Sequence, residues 1–340
     1  MKSPVTPLGE FALIGRFFKE ASEAMLAAQP HSVALGIGDD CALLRVSPID
    51  ELAITSDMLV EGRHFFVDAN PEWLGYKALA VNLSDLAAMG AKPLGFTLAL
   101  ALPEADANWL QSFSKGLFAA AQAFECPLVG GDTTAGPLNI CITAFGNVPK
   151  GLAIKRSGAQ VEDDIWVSGT VGDARLTLAA LRHELDLNPQ DLEAIQHRMH
   201  QPSPRIALGL ALRGVAHAAL DISDGLLGDL KHLLEGSQKD AEVYLDRLPK
   251  SPTLLKQAIH FQNQFAASGG DDYELCFTAP QRLRSKIEEI GRTLQLPLTQ
   301  IGRIKPMQSE RAVLTVLSAD GMPIDESQTA LLLQSFDHFA

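Results

Sequence analysis

The spacing of apolar residues along the chain alternates between a helical period and a strand period, and these two periods define the predicted elements. Segments with apolar residues three and four positions apart predict helices at Glu10–Ala28, Pro71–Met89, Asn108–Phe124, Ala174–His183, Pro204–Leu212, Gly225–Leu234 and Arg282–Leu294. Short apolar runs bounded by turn residues predict strands. These strands are Ser32–Ile37, Ala42–Val46, Leu52–Thr55, Leu94–Leu102, Pro127–Val129, Asn139–Val148, Asp164–Gly169, Ala241–Leu245, Glu274–Thr278, Leu298–Ile304 and Ala312–Leu317.

This mixture of strands and helices predicts an α/β (α+β) protein with two lobes, each a sheet with packed helices. The segment Pro149-Lys150-Gly151 reads as a linker, because proline and glycine interrupt regular elements. We therefore predict one domain over residues 1–149 and a second over residues 150–340. The length of 340 residues agrees with two domains.

The composition narrows the classes of function. Hydrophobic residues make up 46% of the chain, which is enough to fill ordinary cores. The net charge is −13, from 28 Lys and Arg against 41 Asp and Glu. This charge argues against nucleic acid as a partner, since nucleic acid requires a basic surface. It leaves a phosphorylated ligand open, because bound metal ions reverse the local field.

The four cysteines are far apart and lie in apolar sequence, so we expect buried, reduced thiols. They are Cys41, Cys126, Cys141 and Cys276. The first ten residues contain no apolar signal core, and no apolar run is long enough to cross a bilayer. We therefore expect a cytoplasmic protein that does not bind a membrane.

Candidate chemistry is concentrated in short segments of small residues and aspartate. They are Gly36–Asp40, Thr55–Asp57, Asn82–Asp85, Gly130–Thr134, Asp221–Gly225 and Gly269–Asp272. Several carboxylates cannot share one cleft unless cations neutralise them, and Mg²⁺ held by carboxylates and substrate phosphates meets that need. Glycine lets the backbone approach a ligand closely, and its N–H groups can hold phosphate oxygens. Together these segments indicate an enzyme that binds Mg²⁺ and a nucleotide.

Each segment also has a structural interpretation. Asp85 continues an apolar helical stripe of Leu74, Ala78 and Val81. Such a carboxylate requires a cation or several donors, unless it lies at the rim of the core. The residues Thr55–Asp57 read as a strand end that offers hydroxyls and a carboxylate to a ligand, or as a cap. Both interpretations stay open in each case.

The later segments leave similar alternatives. The segment Gly130–Thr134 frees the backbone so that Asp132 reaches a cation, or it is a hairpin turn. Asp221 and Ser223 fall on one side if the strand is extended, and Asp224 can then cap the next helix. The segment Ser268–Glu274 has three carboxylates, and its alternative is a solvated turn.

Well-known catalytic motifs are missing from the sequence: it has no P-loop, no kinase H-R-D or D-F-G signature, no nucleophile elbow and no H-E-x-x-H. Taken together, the segments resemble the thiamine-monophosphate kinase family, in the superfamily of aminoimidazole ribonucleotide synthetase and selenophosphate synthetase. The stretches that carry the resemblance are Gly36–Leu44, Thr55–Phe65, Tyr76–Ala91, Gly130–Thr134, Arg156–Gly158, Asp221–Leu226, Ser268–Phe277 and Asp337–Phe339. The most specific match is the run Lys77–Ala91.

The resemblance implies direct, in-line phosphoryl transfer from ATP to thiamine monophosphate, giving thiamine diphosphate. It also implies a homodimer whose N-terminal sheets pair into a shared barrel, with nucleotide between the two lobes. The chemistry agrees, because a phosphate acceptor requires alignment and charge neutralisation more than a strong base. The strands predicted at Leu94–Leu102 and Asn139–Val148 lack the Lys and Pro that protect exposed edges, so we expect them to pair across the dimer.

The resemblance also implies a role for individual residues. The implied Mg²⁺ ligands are Asp40, Ser56, Asp57, Asp85, Asp132, Asp221 and Asp224, of which Asp57, Asp85 and Asp221 are the catalytic ones. The implied nucleotide-site residues are Thr55, Gly131, Arg156 and Ser223, and the implied thiamine-end residues are His64, Asp271 and Phe336. Two positions depart from one form of the family pattern. Asp271 stands where Glu occurs, which shortens the carboxylate's reach, and Thr55-Ser56 replaces Ser-Thr.

Two other functions fit the same motifs. One is an ATP-using enzyme of the superfamily with a different acceptor. A selenophosphate synthetase would usually carry a catalytic Cys or selenocysteine in a Gly-rich N-terminal segment, and Cys41 does not lie in one. The other is a non-catalytic protein that binds Mg²⁺ and nucleotide without turnover. An assay of ATP with several acceptors separates all three.

Overall fold

The computed structural model describes residues 10–28, 32–38 and 40–334. The chain divides into two compact units, of which the first contains the residues up to 86 and residues 92–150. The second contains residues 87–91 and the chain from residue 151 onward. The division after residue 150 falls one residue from the predicted boundary, whereas the grouping of residues 87–91 with the second unit was not predicted.

The first unit opens with a helix that changes its hydrogen-bond pattern along its length. Helix α1 (Glu10–Ile14) leads into a π-helical segment (Gly15–Lys19) and then into α2 (Glu20–Ala28). Phe17 and Phe18 are buried, as the predicted helix requires. The elements that follow are β1 (Val33–Leu35), β2 (Leu43–Leu44), β3 (Asp50–Val60), α3 (Pro71–Ala88), β4 (Lys92–Leu102), α4 (Ala107–Ala123), β5 (Leu128–Ala135) and β6 (Asn139–Pro149).

The main sheet of this unit is mixed and has the strand order β3-β6-β4-β5. Strand β6 is antiparallel to both β3 and β4, and β4 is parallel to β5. The apolar strands β4 and β6 are therefore central, and the prediction that they are exposed edges was wrong. A strand with neighbours on both sides needs no Lys or Pro to protect it. Among the described residues, the edges of this sheet are β3 and β5.

The second unit begins with a 3₁₀ turn (Arg156–Gly158) and alternates strands with helices. Its elements are β7 (Asp163–Ser168), α5 (Asp173–Leu181), α6 (Pro189–His200), α7 (Ile206–Ala211), β8 (Ala218–Asp221), α8 (Leu226–Ser237), β9 (Lys239–Tyr244), α9 (Ile259–Ser268), β10 (Leu275–Pro280), α10 (Arg284–Leu294), β11 (Leu298–Pro306), β12 (Leu314–Leu317) and α11 (Glu326–Leu332).

A six-stranded sheet with the order β12-β9-β11-β7-β10-β8 forms the centre of this unit. One face packs Ile165, Val167 and Cys276 into a core with α5, α8 and α9. The opposite face packs Trp166 and Phe277 into a second core with α7 and α10. Strand β8 lies at one edge beside β10, and this edge carries the aspartate segments of the second unit.

The predicted mixed α/β class is confirmed, and the strongest predicted elements lie within a few residues of their observed bounds. Helices α6, α9 and α11 were not predicted. Two strands are longer than expected: β3 continues to Val60, and β5 continues to Ala135. As a consequence, Thr55–Asp57 and Gly130–Thr134 lie within strands, and neither segment is a strand end or a turn.

The cysteines follow the prediction in part. All four are free thiols, and burial raises the pKa of Cys126 and Cys276. Cys141 is partly buried, but Cys41 is exposed, so the prediction of burial was wrong for Cys41. Over the described ranges, no helix has both the length and the apolar character needed to cross a bilayer.

Candidate active site

The first candidate cluster lies where strand β3 meets helix α3. Thr55 and Asp57 are two positions apart in β3, so their side chains lie on the same face of the strand. The Thr55 hydroxyl donates a hydrogen bond to Oδ2 of Asp85 in the last turn of α3. The backbone N–H of Asp57 donates to Oδ1 of Asn82 over 3.1 Å. These bonds bring Thr55, Asp57 and Asp85 together at one end of the helix.

Helix α3 holds its end of this cluster through an apolar stripe. Leu74, Ala78 and Val81 are buried, and Asp85 continues the stripe half-buried with Thr55 as a donor. Asn82 is fully buried, and its amide donates to the Ala78 carbonyl over 3.1 Å. That bond orients the amide so that its oxygen accepts the Asp57 N–H. Asn82 opens one of the candidate segments and lies within the most specific motif, but the sequence analysis gave it no role of its own.

Ser56 lies on the opposite face of β3 from this cluster. Its hydroxyl is 2.9 Å from the Thr143 hydroxyl and donates to the Ile142 carbonyl over 3.2 Å. Because alternate residues of a strand point to opposite faces, the Ser56 hydroxyl cannot join the carboxylate of Asp57. The structure therefore separates the side chains of two residues that the family resemblance implies as members of one ligand set.

The predicted residues of β5 also lie apart from Asp57. Asp132 is exposed and pairs in register with Ala99 of β4, so two strands separate it from β3. Gly131 has φ of +150°, and a Cβ atom there would overlap the Leu98 carbonyl oxygen. Glycine is therefore required at residue 131 by the packing of β4 on β5, whatever its role toward a nucleotide.

His64 lies in the turn that follows β3. The ring atom Nδ1 of His64 accepts the backbone N–H of Val60 over 2.9 Å, and the backbone N–H of His64 donates to the Val60 carbonyl over 3.0 Å. A ring nitrogen that accepts a hydrogen bond carries no proton, so the neutral imidazole is protonated on Nε2. The turn fixes both the position and the tautomer of this histidine.

The second candidate cluster lies at the end of β8, in the other unit. Asp221 is buried, and Ser223 and Asp224 are partly buried in the loop before α8. Oδ2 of Asp229 accepts the backbone N–H groups of Ser223, Asp224 and Gly225 over 3.1, 3.1 and 3.2 Å. The N-cap of α8 is Gly225, with φ of +128° and no side-chain cap. The prediction that Asp224 caps this helix was therefore wrong.

Asp229 was also missed by sequence analysis. Burial raises the pKa of Asp229 to about 6, with a further increase from the nearby carboxylate of Asp224. An acidic residue in the first turn of a helix is a common sequence signal, because it complements the helix dipole. That signal indicated only helix stabilisation, and the three backbone hydrogen bonds became visible in the structure.

The turn before β10 packs directly on this loop. The N–H of Asp271 donates to the Ser223 carbonyl, and the N–H of Tyr273 donates to the Ile222 carbonyl, both over 2.8 Å. A Cβ atom at Gly225 would lie 2.8 Å from the Ser268 carbonyl carbon, so only glycine allows this approach. The Tyr273 hydroxyl donates to Oδ1 of Asp271 over 3.2 Å. Asp271 is thus held beside the Asp221–Gly225 loop.

The other two carboxylates of this turn are buried, so the interpretation as a solvated turn was wrong. Both oxygens of Asp272 accept the Gly172 N–H, over 3.0 and 2.8 Å, and complete burial raises the pKa of Asp272 well above its ordinary value. Glu274 accepts hydrogen bonds from Arg205, from Arg198 over 2.5 Å and from the Ser168 hydroxyl over 2.5 Å. The hydrogen bonds of Asp272 and Glu274 hold the turn in place on its buried side.

The remaining predicted residues are exposed or lie outside the described residues. Arg156 is exposed in the 3₁₀ turn, and its carbonyl accepts the Ser237 hydroxyl over 2.8 Å. Asp40 is exposed in the bend before β2. Phe336, Asp39 and the segment Asp337–Phe339 lie outside the described residues.

Both clusters offer carboxylate and hydroxyl oxygens, which are the ligands that Mg²⁺ prefers. Within residues 10–28, 32–38 and 40–334, no three His, Cys, Asp or Glu side chains form a complete metal-binding group by themselves. Mg²⁺ commonly takes one or two carboxylates and completes its shell with water and substrate phosphates. The donor sets therefore fit Mg²⁺ held together with a phosphorylated ligand.

Comparisons with known proteins find matches along nearly the whole chain. Residues 38–148 match the family AIR synthase related protein, N-terminal domain, and residues 160–315 match AIR synthase related protein, C-terminal domain. The chain is 45% identical to the thiamine-monophosphate kinase of Salmonella typhimurium, over 98% of each sequence.

The chain is also similar to solved structures along most of its length. A thiamine-monophosphate kinase from Stenotrophomonas maltophilia K279a is 44% identical, with a TM-score of 0.83 over 93% of this chain and 98% of that one. A structure named "AaThiL complexed with AMPPCP and TMP" is 29% identical, with a TM-score of 0.72 over 99% of this chain and 100% of that one.

Proposed function

Because the chain belongs to the thiamine-monophosphate kinase family, we propose that it transfers the γ-phosphoryl group of ATP to thiamine monophosphate. The products are thiamine diphosphate and ADP. The observation that carries this proposal is the end-to-end likeness to a protein whose structure is named for its complex with AMPPCP and TMP. AMPPCP is an ATP analogue, so that pair corresponds to the donor and the acceptor of this reaction.

Each unit contributes carboxylates that suit Mg²⁺. Asp57 and Asp85 do so in the first unit, and Asp221 and Asp224 do so in the second. When bound, Mg²⁺ neutralises the phosphate oxygens and orients them for displacement. Asp40, Ser56 and Asp132 are further ligands by the family resemblance. For Ser56 only the backbone carbonyl remains a candidate beside Asp57, since its hydroxyl lies on the other face of β3.

The protein's own side chains then act mainly by aligning the phosphate groups that react. The acceptor is an anionic phosphate that is already nucleophilic, so in-line transfer requires no strong general base. The Thr55 hydroxyl orients Asp85, and Asn82 fixes the backbone at Asp57. We assign Thr55, Gly131, Arg156 and Ser223 to the nucleotide. The guanidinium of Arg156, which is exposed, suits a phosphate oxygen.

The thiamine end of the substrate is assigned to His64, Asp271 and Phe336. The carboxylate of Asp271 is held in place by the turn that also contains Tyr273. A carboxylate there can pair with the cationic thiazolium or accept a hydrogen bond from the aminopyrimidine. Asp271 differs by one methylene from the Glu of one family pattern, so its carboxylate reaches less far toward the substrate.

We expect the enzyme to phosphorylate thiamine monophosphate and to leave free thiamine unchanged, because free thiamine lacks the phosphate that accepts the transferred group. Purified protein is incubated with ATP, Mg²⁺ and one acceptor at a time: thiamine monophosphate, thiamine or aminoimidazole precursors. Chromatography then identifies the products. One ADP per thiamine diphosphate is expected from thiamine monophosphate alone.

The Asp57→Asn variant, purified in the same way, controls for contaminating kinases. Pyrophosphorylation of free thiamine with release of AMP would overturn the proposal. ATP binding without turnover of any acceptor would instead favour a non-catalytic nucleotide-binding protein.

We also propose that the working form is a homodimer joined through the sheet of the first unit. The edge strand β3 exposes Leu52, Ile54 and Met58 on the face opposite Thr55 and Asp57. Apolar side chains in a row on an uncovered sheet face favour association with a second copy. The exposed apolar row on β3 therefore supports the dimer, whereas strands β4 and β6 are central and have no free edge to pair.

Light scattering after gel filtration is expected to give twice the 36.5 kDa mass of one chain. The double variant Ile54→Glu/Met58→Glu should shift the protein toward monomer, because it buries two charges in the pairing face. Ile49→Glu is the matched control and should leave the mass unchanged, because Ile49 is an apolar residue in the turn before β3 that is even more exposed than Ile54 and Met58. An active monomer at assay concentration would refute the dimer.

A further inference from the structure

The carboxylate of Asp229 occupies the start of helix α8. Three successive N–H groups, those of Ser223, Asp224 and Gly225, converge on its Oδ2 atom within 3.1 to 3.2 Å. Asp229 is only 7% exposed, so solvent does not compete for these bonds. A carboxylate that accepts three N–H bonds is a strong constraint on the backbone of the loop.

This arrangement changes what the loop can bind. Successive N–H groups at a helix start are usually a phosphate site, because they point toward the ligand and the dipole is positive there. Here a carboxylate of the same helix already accepts these hydrogens. The N–H groups of Ser223–Gly225 are therefore committed to Asp229, and the loop offers the carboxylates of Asp221 and Asp224 instead. A helix start that would otherwise attract an anion becomes a cation site.

The loop is also held from a second side. The Ser223 carbonyl accepts the Asp271 N–H over 2.8 Å, and Gly225 packs against Ser268. Asp229 thus accepts the N–H groups of the loop, and the turn before β10 donates a hydrogen bond to its Ser223 carbonyl. Loss of Asp229 would release the N–H side alone, so the loop would lose its defined geometry while the sheet beneath it stays intact.

We propose that Asp229 is a positioning residue that fixes the Asp221–Gly225 loop for Mg²⁺ binding without contacting the ion. This inference rests on the proposed role of Asp221 and Asp224 as Mg²⁺ ligands. Residues that orient metal ligands typically change metal affinity by roughly 10- to 100-fold when they are removed. We expect Asp229→Ala to weaken metal binding by that range.

The test titrates Mn²⁺, as a paramagnetic probe, into full-length protein with AMPPCP at a fixed concentration, so that phosphate oxygens can complete the metal's shell. Binding is followed by the change in the electron paramagnetic resonance signal of Mn²⁺, after subtraction of the same titration of AMPPCP without protein. Asp229→Asn keeps an oxygen that accepts N–H bonds, so its loss of affinity should be smaller than that of Asp229→Ala. In assays, Asp229→Ala should require a higher Mg²⁺ concentration for half-maximal rate, with most of the maximal rate regained at saturating Mg²⁺. Circular dichroism confirms that each variant is folded.

Asp106→Ala is the matched control. Asp106 caps α4 by accepting the N–H groups of Asn108 over 2.8 Å and Trp109 over 3.3 Å, and it belongs to neither cluster. This variant should lower the melting temperature and leave Mn²⁺ affinity unchanged. If Asp229→Ala behaves like Asp106→Ala, the residue is structural and the inference is overturned.

Asp221→Asn separates this failure from failure of the proposed metal site. If Asp221→Asn weakens Mn²⁺ binding and the Asp229 variants do not, only the positioning role is lost. If Asp221→Asn binds Mn²⁺ normally, both the metal assignment and the inference built on it are overturned. Should Asp229→Ala fail to fold, Asp229→Leu decides the same question, because it keeps a similar side-chain volume but has no atom that accepts the three N–H bonds.

Discussion

Turnover is expected to fall by at least about a thousandfold in Asp57→Asn and in Asp85→Asn, with the fold intact in both variants. Loss of one carboxylate charge from an Mg²⁺ site removes several kcal/mol of transition-state stabilisation, and each 1.4 kcal/mol is about tenfold in rate. Asn retains the size of Asp, and its oxygen can still accept the Thr55 hydroxyl at residue 85. The change is therefore electrostatic, with little effect on packing.

Steady-state rates at several Mg²⁺ concentrations test this expectation. Asp50→Asn is the matched control, because Asp50 is on the same strand and is also hydrogen-bonded, to the Asn147 amide over 2.6 Å. That variant should keep near-normal turnover. If Asp57→Asn or Asp85→Asn also did so at low Mg²⁺, the residue concerned would not be a ligand.

The helices around the first cluster could be predicted because their pattern is local. Helix α3 combines a proline at its first residue with an apolar stripe that is buried in the structure, and its bounds differ from the prediction by one residue. The position of Asp85 on that stripe was predictable for the same reason. Its partner Thr55 was not, because strand alternation gives the face of a residue but not the element that covers that face.

Strand order and strand length were the weaker predictions. Central strands and protected edge strands can have the same apolar sequence, so β4 and β6 were taken for edges although each has two neighbours. Glycines usually end a strand, but Gly130 and Gly131 continue β5 because the neighbouring strand β4 needs the space that a Cβ atom at residue 131 would fill.

The interior of the second unit was the hardest part to foresee. Helix α6 is mostly polar and buries only Ile195 and Met199, four residues apart, so its apolar signal is faint. Without α6, nothing in the sequence around Glu274 indicates that Arg198 is its partner, 76 residues away. A cluster of carboxylates therefore looked solvated, whereas the structure buries two of them.

Glu274→Gln is expected to lower the free energy of unfolding by about 3 kcal/mol or more. Removal of one partner from a buried ion pair leaves an uncompensated charge, which typically costs about 3–5 kcal/mol. Glu274 is fully buried, and the Arg198 and Arg205 side chains are only 11% and 19% exposed. The variant keeps the shape of the side chain but leaves both guanidinium groups without their carboxylate. Such a loss is a large part of the total stability of an ordinary domain.

Urea denaturation followed by circular dichroism measures this change, and Glu289→Gln is the matched control. Glu289 pairs with Lys286 over 2.9 Å, but both side chains are more than half exposed, at 58% and 53%. Exposed pairs contribute about 0–1 kcal/mol, so this control should unfold almost like the unchanged protein. Similar midpoints for the two variants would mean that water reaches the arginines of the buried network. A large loss for Glu274→Gln alone would instead support the conclusion that this network anchors the turn carrying Asp271, since Glu274 lies three residues after it.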